Sequence, residues 1–408
     1  MTGGFCTSSA KVTSTGGGRL GLAAIAMMIV LGRARAAEAY SWMIRSGHTS
    51  CVSCHVDPSG AGLLTAYGRD EGADLLRTRW SSNENDEAIA ARGRFLWGLF
   101  HTPDWLLLGG AFRPAVLVTQ VPDGTGGTNT TNQAIFMQAD LRAGIRAGGW
   151  RASASLGIIS NESYASIAGQ VVSREHWVGY AFDGDTVTVR AGRMNLPFGL
   201  RIIEHTAWVR AETRTDINDQ QQHGVAVAYN NQLVRAEAMG ILGNYQISPD
   251  AFRERGYSAY AELTPHPGYA VGVSSLVTHA AKDVVLNAAN TRQAHGLFVR
   301  LSPWTPLVVL GETDVTLQNP SGGPHATGLA TLLQADVEAL QGVHLIGTGE
   351  TWRPGGPEPL TSYGAWGSVD WFIGWHTDLR FDYVWRSMAL GRMRLDGKSW
   401  LAQLHVYL

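Results

Sequence analysis

The chain has 408 residues, enough for a small cofactor-bearing segment followed by one large domain. Its 32 Lys and Arg nearly balance 34 Asp and Glu, giving a net charge of −2, so the basic footprint of a nucleic-acid-binding protein is absent. Charged residues make up only 16% while glycines number 49, which suits a sheet-rich protein with an apolar exterior better than a cytosolic enzyme.

Residues 1–39 read as an export signal. Lys11 and Arg19 precede the apolar run from Leu20 to Leu31, which has too few residues to span a bilayer. Small-residue cleavage patterns follow at Ala34-Arg35-Ala36 and Ala37-Glu38-Ala39. A retained anchor is the alternative reading of the same run. Cys6 precedes the run and leaves with the signal, so the mature chain keeps Cys51 and Cys54 and has no wider disulfide framework. No later apolar stretch is long, so a membrane crossing there must be made of strands.

Cys51-Val52-Ser53-Cys54-His55 has the C-x-x-C-H pattern of c-type haem attachment. Thiols at this spacing can add across the two vinyl groups on one porphyrin edge, and the adjacent imidazole can then ligate the iron. A redox disulfide of the thioredoxin kind needs a βαβ setting that is absent here. A zinc site needs further Cys or His at short spacing. The expectation is one haem c bound through Cys51 and Cys54, with His55 as an axial ligand. For the sixth ligand, His48 and Met43 are the nearest candidates. His48 is only three residues from Cys51, and a Met beside Trp42 is more often a packing residue. His101, His205 or an open position remain as alternatives. The segment 40–80 is too small to bury a haem by itself, so other parts of the chain must cover it.

Residues 81–102 read as a polar linker. From 103 to 408 period-2 alternation dominates. In Ala134–Ala147, Ile135, Met137, Ala139, Leu141, Ala143 and Ile145 oppose Gln138, Asp140, Arg142 and Arg146. In Thr377–Arg386, Leu379, Phe381, Tyr383 and Trp385 oppose Asp378, Arg380, Asp382 and Arg386. Val234, Ala236 and Ala238 oppose Arg235 and Glu237. Short turns are expected near Gly148, Asp183, Asn230, 265–268, Ser302, Gln341 and Trp375. They alternate with long connections near 120–131, 160–172, 194–221, 242–254, 280–292, 318–327, 352–361 and 389–397. This layout predicts an all-β transmembrane antiparallel barrel of about 16 strands, after a short helical or coil monohaem segment. Trp97, Trp105, Trp150, Trp177, Trp304, Trp371, Trp375 and Trp400 are expected in interfacial girdles. Short turns belong on the periplasmic side, which puts both termini there. A soluble β-sandwich is the competing architecture.

In this layout the chain resembles the fused outer-membrane monohaem cytochrome–porins, which include the iron-oxidising outer-membrane cytochromes. The resemblance rests on Arg45-Ser46-Gly47 before Cys51–His55, on Pro58, on Leu64-Thr65-Ala66-Tyr67-Gly68-Arg69, and on Gly192–Leu200 as a porin-type strand leading into a loop. The last strand, Trp400–Leu408, has the alternation of a terminal porin strand but ends in Leu where an aromatic is usual. The resemblance implies that the third outer loop, Met194–Gln221, folds inward against the haem segment. It also implies single-electron transfer across the outer membrane, between an extracellular donor or acceptor such as Fe(II) and a periplasmic carrier. Arg142, Arg146, Arg190 and Arg235 are candidates for the haem propionates, since guanidinium suits carboxylate. Glu204, His205, Glu212 and Asp216 on the third loop are a candidate metal cluster. Two other functions remain: a solute porin with the haem segment as plug or sensor, and a soluble periplasmic cytochrome. No nucleophile or acid–base constellation points to an organic substrate.

Overall fold

Alternation this long closes on itself. In the computed structural model, which describes residues 41–80, 92–123, 126–158, 171–355, 360–390 and 393–408, seventeen strand segments form one antiparallel sheet. Two of them, Val171–Val172 and His176–Phe182, pair side by side with Trp150–Ile158 and are pieces of one strand, which makes sixteen strands. The first strand, β1 (Leu106–Pro122), pairs with β2 (Thr128–Ala147) and also with the last strand, Met393–Tyr407. Leu408 completes the seam by exchanging two backbone hydrogen bonds with Gly110. Among the described residues, closure leaves no strand edge unpaired.

The wall is polar inside and apolar outside. Along Arg255–His266, Ser258, Glu262 and Thr264 are buried while Tyr257 and Leu263 are 45% and 44% exposed. Along Thr377–Leu390, Asp378, Arg380 and Asp382 are buried while Leu379, Phe381 and Tyr383 face outward. A water-soluble sandwich has the opposite sense, with its polar side outside. An apolar exterior around a polar lumen is the pattern of a barrel whose solvent is lipid. No helix among the described residues is long and apolar enough to cross a membrane, so the strands make the crossing.

The expected short turns recur at or within a few residues of their predicted places, with Gln341-Gly342 and Trp375-His376 each joining paired strands. Several expected long loops are instead strand. β2 runs for 20 residues, and its register with β1 continues through Thr119↔Thr131 to Pro122↔Thr128. Roughly 9–11 residues suffice to cross a bilayer, so these strands project beyond it. There both faces of the ladder meet water and the alternation vanishes, though the hydrogen bonding does not. The stretch 120–131 therefore looked like loop. The same extension shortens the expected connection at 389–397, since Thr377–Leu390 and Met393–Tyr407 leave only residues 391 and 392 between them. Residues 1–39, the expected signal, and most of the expected linker (81–91) lie outside the described residues, as do 160–170 of the second outer loop.

Two assignments of facing are corrected. The continuous alternation expected for Ala134–Ala147 breaks at Met137, because the register jumps from Arg113↔Gln138 to Pro114↔Phe136. Pro114 has no N–H for the ladder and a bulge takes up the slip. Phe136 therefore turns outward, at 57% exposure, while Gln138 stays inside. Trp177, expected in a girdle, is 4% exposed and points into the lumen beneath the Arg190 guanidinium, 5.0 Å away. Trp97, Trp105, Trp150 and Trp304 are exposed near strand ends at the short-turn side, as a girdle requires.

Residues 41–80 lie within the barrel. A 3-10 helix (Ser41–Ser46) packs Trp42, Met43 and Ile44 against wall residues Phe298, Leu310 and Phe372. The turn through Cys51–His55 follows, then α1 (Ala66–Leu75). The segment leaves at the short-turn end, where the Thr78 N–H donates to the Phe372 carbonyl (2.8 Å) and Arg77 lies over Trp375. The third loop also folds inward, as expected. Leu196 and Phe198 join Val56 and Leu63 in one apolar cluster, and Leu200, Ile202 and Trp208 join Trp42 in another. The wall and this loop together supply the core that a segment of this size lacks.

Candidate functional site

The Cys51–His55 turn is held from both sides. Within it, the N–H groups of Cys54 and His55 donate to the Cys51 carbonyl at 3.2 and 2.9 Å. Behind it, Val56 N–H donates to Leu63 and Thr65 N–H donates to Cys54, at 2.9 and 2.8 Å. The Thr65 hydroxyl donates to the Ser53 carbonyl (2.6 Å) and accepts from the Gly68 N–H (3.1 Å). It therefore caps α1 while tying the helix start to the turn. Cys51 and Cys54 are not joined in a disulfide.

In front of the turn opens a cavity of about 220 Å³. Cys51, His55 and His48 line one part of it. Leu64, Arg69 and Leu76 line another, and Leu200–Ile203 of the third loop close the far side. Cys54 is wholly buried under Gly68 of α1. Of the candidates for the opposite axial position, His48 lines the cavity. Burial, with Arg300 nearby, holds its imidazole neutral, with a pKa lowered to about 3, and the neutral ring is the ligating form. Met43 is 2% exposed and belongs to the Trp42 packing cluster. His101 lies exposed before β1, and His205 does not line the cavity.

The four arginines expected at a propionate part company. Arg142 lines the cavity and lies 3.4 Å from Asp140. Arg235 also lines it, donates to the Cys51 sulfur, and pairs with Glu262 at 3.2 Å. Arg146 pairs with Asp185 at 2.5 Å, beside a smaller pocket on the other side of His55. Arg190 is sealed between Asp57 (2.9 Å) and Glu237 and does not line the cavity. Arg69 and Arg113 also line it. Strand alternation does not mark either, since Arg69 sits on a helix and Arg113 at a bulge.

The acidic residues of the third loop do not converge. Glu204 is taken by Arg380 at 2.7 Å, and among the described residues no three His, Cys, Asp or Glu side chains are placed to hold a metal. Asp216 is different in kind: burial and the neighbouring Asp219 push its carboxyl up to about 7. A raised carboxyl pKa means the folded loop binds the proton more tightly than the unfolded chain. Its stability is then full at low pH and is lost as pH rises from the ordinary carboxylate range through about 7. Tryptic cleavage at Arg214 should therefore be several-fold slower at about pH 5 than at about pH 8, after correction for trypsin's own pH profile. Asp216→Asn should remove the difference, and a pH dependence that survives it would refute the assignment.

No protein-family profile matches the chain, and no curated protein matches it. Solved structures do. OmpT, an outer membrane protein of Vibrio cholerae, superposes with a TM-score of 0.58 at 9% identity, covering 76% of this chain and all of its own (100%). The anion-selective porin from Comamonas acidovorans gives 0.53 at 12% identity over 74% of this chain and 99% of its own. The outer membrane channel DcaP of Acinetobacter baumannii gives 0.53 at 10% identity over 76% and 99%. At such identities the likeness is one of fold. With the inverted wall, it defines a porin-like outer-membrane β-barrel.

Proposed function

We propose that this porin-like barrel carries one covalently bound haem c in its lumen. It would pass single electrons between an extracellular donor or acceptor, such as Fe(II), and a periplasmic carrier. The observation that carries the reading is the Cys51-x-x-Cys54-His55 turn, held inside the barrel with Cys51 and His55 facing the cavity. Cys51 and Cys54 would bear the group, His55 would ligate it, and His48, which lines the same cavity, would be the candidate second ligand. When bound, the group supplies reversible one-electron chemistry. The chain's own residues do the rest. The wall keeps lipid from the site, Leu63, Leu76 and Leu200 make part of the cavity dry, and Arg142 and Arg235 offer positive charge. The termini would lie in the periplasm with the short turns, after removal of residues 1–39.

The resemblance to the fused cytochrome–porins supports this reading, as does the filling of the lumen. Residues 41–80 and the third loop occupy the space through which a solute porin conducts. The solute porin with a haem-bearing plug remains the rival, favoured by the fold alone. Outer-membrane fractions of wild type and of the Cys51→Ala/Cys54→Ala double variant should be compared by pyridine haemochrome spectrum. Wild type should show one covalent haem per chain, and the double variant none. Proteoliposomes enclosing an electron acceptor should then reduce it from outside only with the haem-bearing protein. Rapid solute leakage without electron transfer would establish the porin instead.

A further inference from the structure

Arg69 poses a problem of charge. It lies on α1, one turn beyond the Thr65 cap, and is only 8% exposed. Its Nε and Nη2 atoms have no hydrogen-bond partner, yet its side chain lines the cavity. The charges acting around it are Asp70, which is partly exposed and faces Arg94 as well, and His376, whose imidazole burial keeps neutral. Burial outweighs the attraction of Asp70 and draws the Arg69 pKa down to about 10, so it is still a cation at neutral pH. Asp70 attracts it without forming an ion pair, and burying a cation so weakly compensated costs several kcal/mol. Other buried luminal arginines are provided for: Arg190, Arg210, Arg235, Arg300 and Arg380 each meet a carboxylate of the wall, the plug or the third loop, and Arg193, which meets none, donates to oxygen atoms of Arg174, Asn244 and Gln221.

Its position is also fixed. Nη2 lies over Gly109 of β1, where an added Cβ would come within 3.4 Å of it, 2.6 Å of Leu63 and 2.9 Å of the Leu408 carbonyl. Glycine there leaves the guanidinium room to lie against the wall with its donors toward the cavity. Arg113, four residues along β1, lines the same cavity and also has an unpartnered Nε. The haem-bearing turn packs against the same helix through Gly68, the residue before Arg69.

We propose that Arg69 is the positioning residue for a haem propionate, whose carboxylate takes its free donors and supplies the missing negative charge. This rests on the haem reading above. The fork of a guanidinium offers two parallel N–H groups to a carboxylate, and Arg69 shares its helix with the contact that holds the cysteine turn. It would therefore position the group relative to the cysteine turn. Arg190 and Arg146, already matched by protein carboxylates, are left to hold the segment in place.

The test compares Arg69→Gln and Arg69→Lys in two backgrounds: the loaded protein, and a Cys51→Ala/Cys54→Ala chain that cannot attach the group. In the loaded protein Arg69→Gln should keep a full haemochrome spectrum. Its midpoint potential should shift downward, because loss of a nearby cation disfavours the reduced state, and Arg69→Lys should recover most of the shift. Thermal stability should fall in the loaded protein and rise in the haem-free chain, where the substitution removes an unmatched buried charge. Equal stability changes in the two backgrounds, or an unchanged potential with haem present, would overturn the role of Arg69. A wild-type protein without covalent haem would overturn the haem reading itself, and is told apart by the spectrum alone.

Discussion

Replacing Arg190 with alanine is expected to cost about 3–5 kcal/mol, the usual penalty when one partner of a buried ion cluster is removed. Arg190 is fully buried and donates to Asp57 at 2.9 Å and to Glu237. Asp57 belongs to the plug and Glu237 to the wall strand Val234–Gly243, so the guanidinium joins two bodies with no covalent link nearby. Burial pushes the Asp57 carboxyl up, but Arg190, Arg201 and the Ser59 hydrogen bonds (2.9 and 2.8 Å) more than compensate and hold it below its usual range. A depressed carboxyl pKa contributes stability that is present above the unfolded value and is lost as pH falls through the folded one. In Arg190→Ala both carboxylates lose their main counter-charge and one must take up a proton. Arg190→Lys should recover little, because one ammonium cannot reproduce the fork that spans both acids. The plug should come loose before the barrel does. Tryptic cleavage within residues 41–80 is then expected to accelerate by two or more orders of magnitude, roughly as the free energy dictates, while the barrel itself should still migrate as a folded species in detergent gels. Unchanged protection would mean that this cluster does not hold the plug.

The strands were legible because two solvents write them. Lipid on one side and a polar lumen on the other impose period 2 on every segment that crosses the membrane, and so Asp378, Arg380 and Asp382 point in while Leu379 and Phe381 point out. Where only one solvent acts, the code is lost. The run Thr128–Thr131 pairs regularly with Thr119–Pro122, yet water lies on both sides of it and no alternation marks it as strand. A single Pro was enough to invert the facing of Phe136, because the slip at Pro114 lies on the neighbouring strand and cannot be seen from the sequence of β2 alone.

The site divides the same way. The Cys51, Cys54 and His55 pattern is legible because the chemistry it implies acts over five consecutive residues. The arginines are not, because an ion pair depends on what folding brings near. Arg190 and Asp57 are 133 positions apart, and Arg235 and Cys51 are 184. Counting inward-facing arginines finds the residues of the lumen but not the partners that already claim them. Arg69 stands out only beside arginines such as Arg193 and Arg201, which also lack an ion pair but donate to Asn244, Gln221, Ser59 and Leu196, whereas its own Nε and Nη2 reach no acceptor.

Gly68 is the other residue at which a small change should have a large effect. A Cβ there would lie 2.4 Å from the Cys54 carbonyl oxygen, 2.7 Å from its Cα and 2.8 Å from its Cβ. Two of these three atoms are backbone, fixed by the hydrogen bonds of Cys54 and Thr65, so no rotamer change relieves the contact. Gly68→Ala must push α1 away from the turn, breaking the Thr65 cap and moving Arg69 with it. Ordinary overpacking costs about 1–3 kcal/mol, and the rigid partner places Gly68→Ala at or above the top of that range. The wall, which α1 does not build, should assemble normally. Gly68→Ala is therefore expected to reach the outer membrane as a folded barrel while retaining well under half of the wild-type covalent haem, with Gly68→Val retaining almost none. Gly72, on the next turn of α1, is the control: a Cβ there meets only Leu76 at 3.8 Å, so Gly72→Ala should attach haem normally. Equal haem content in Gly68→Ala and Gly72→Ala would show that the close approach of helix and turn is not needed to present the cysteines. The cradle would then have to lie elsewhere in the lumen.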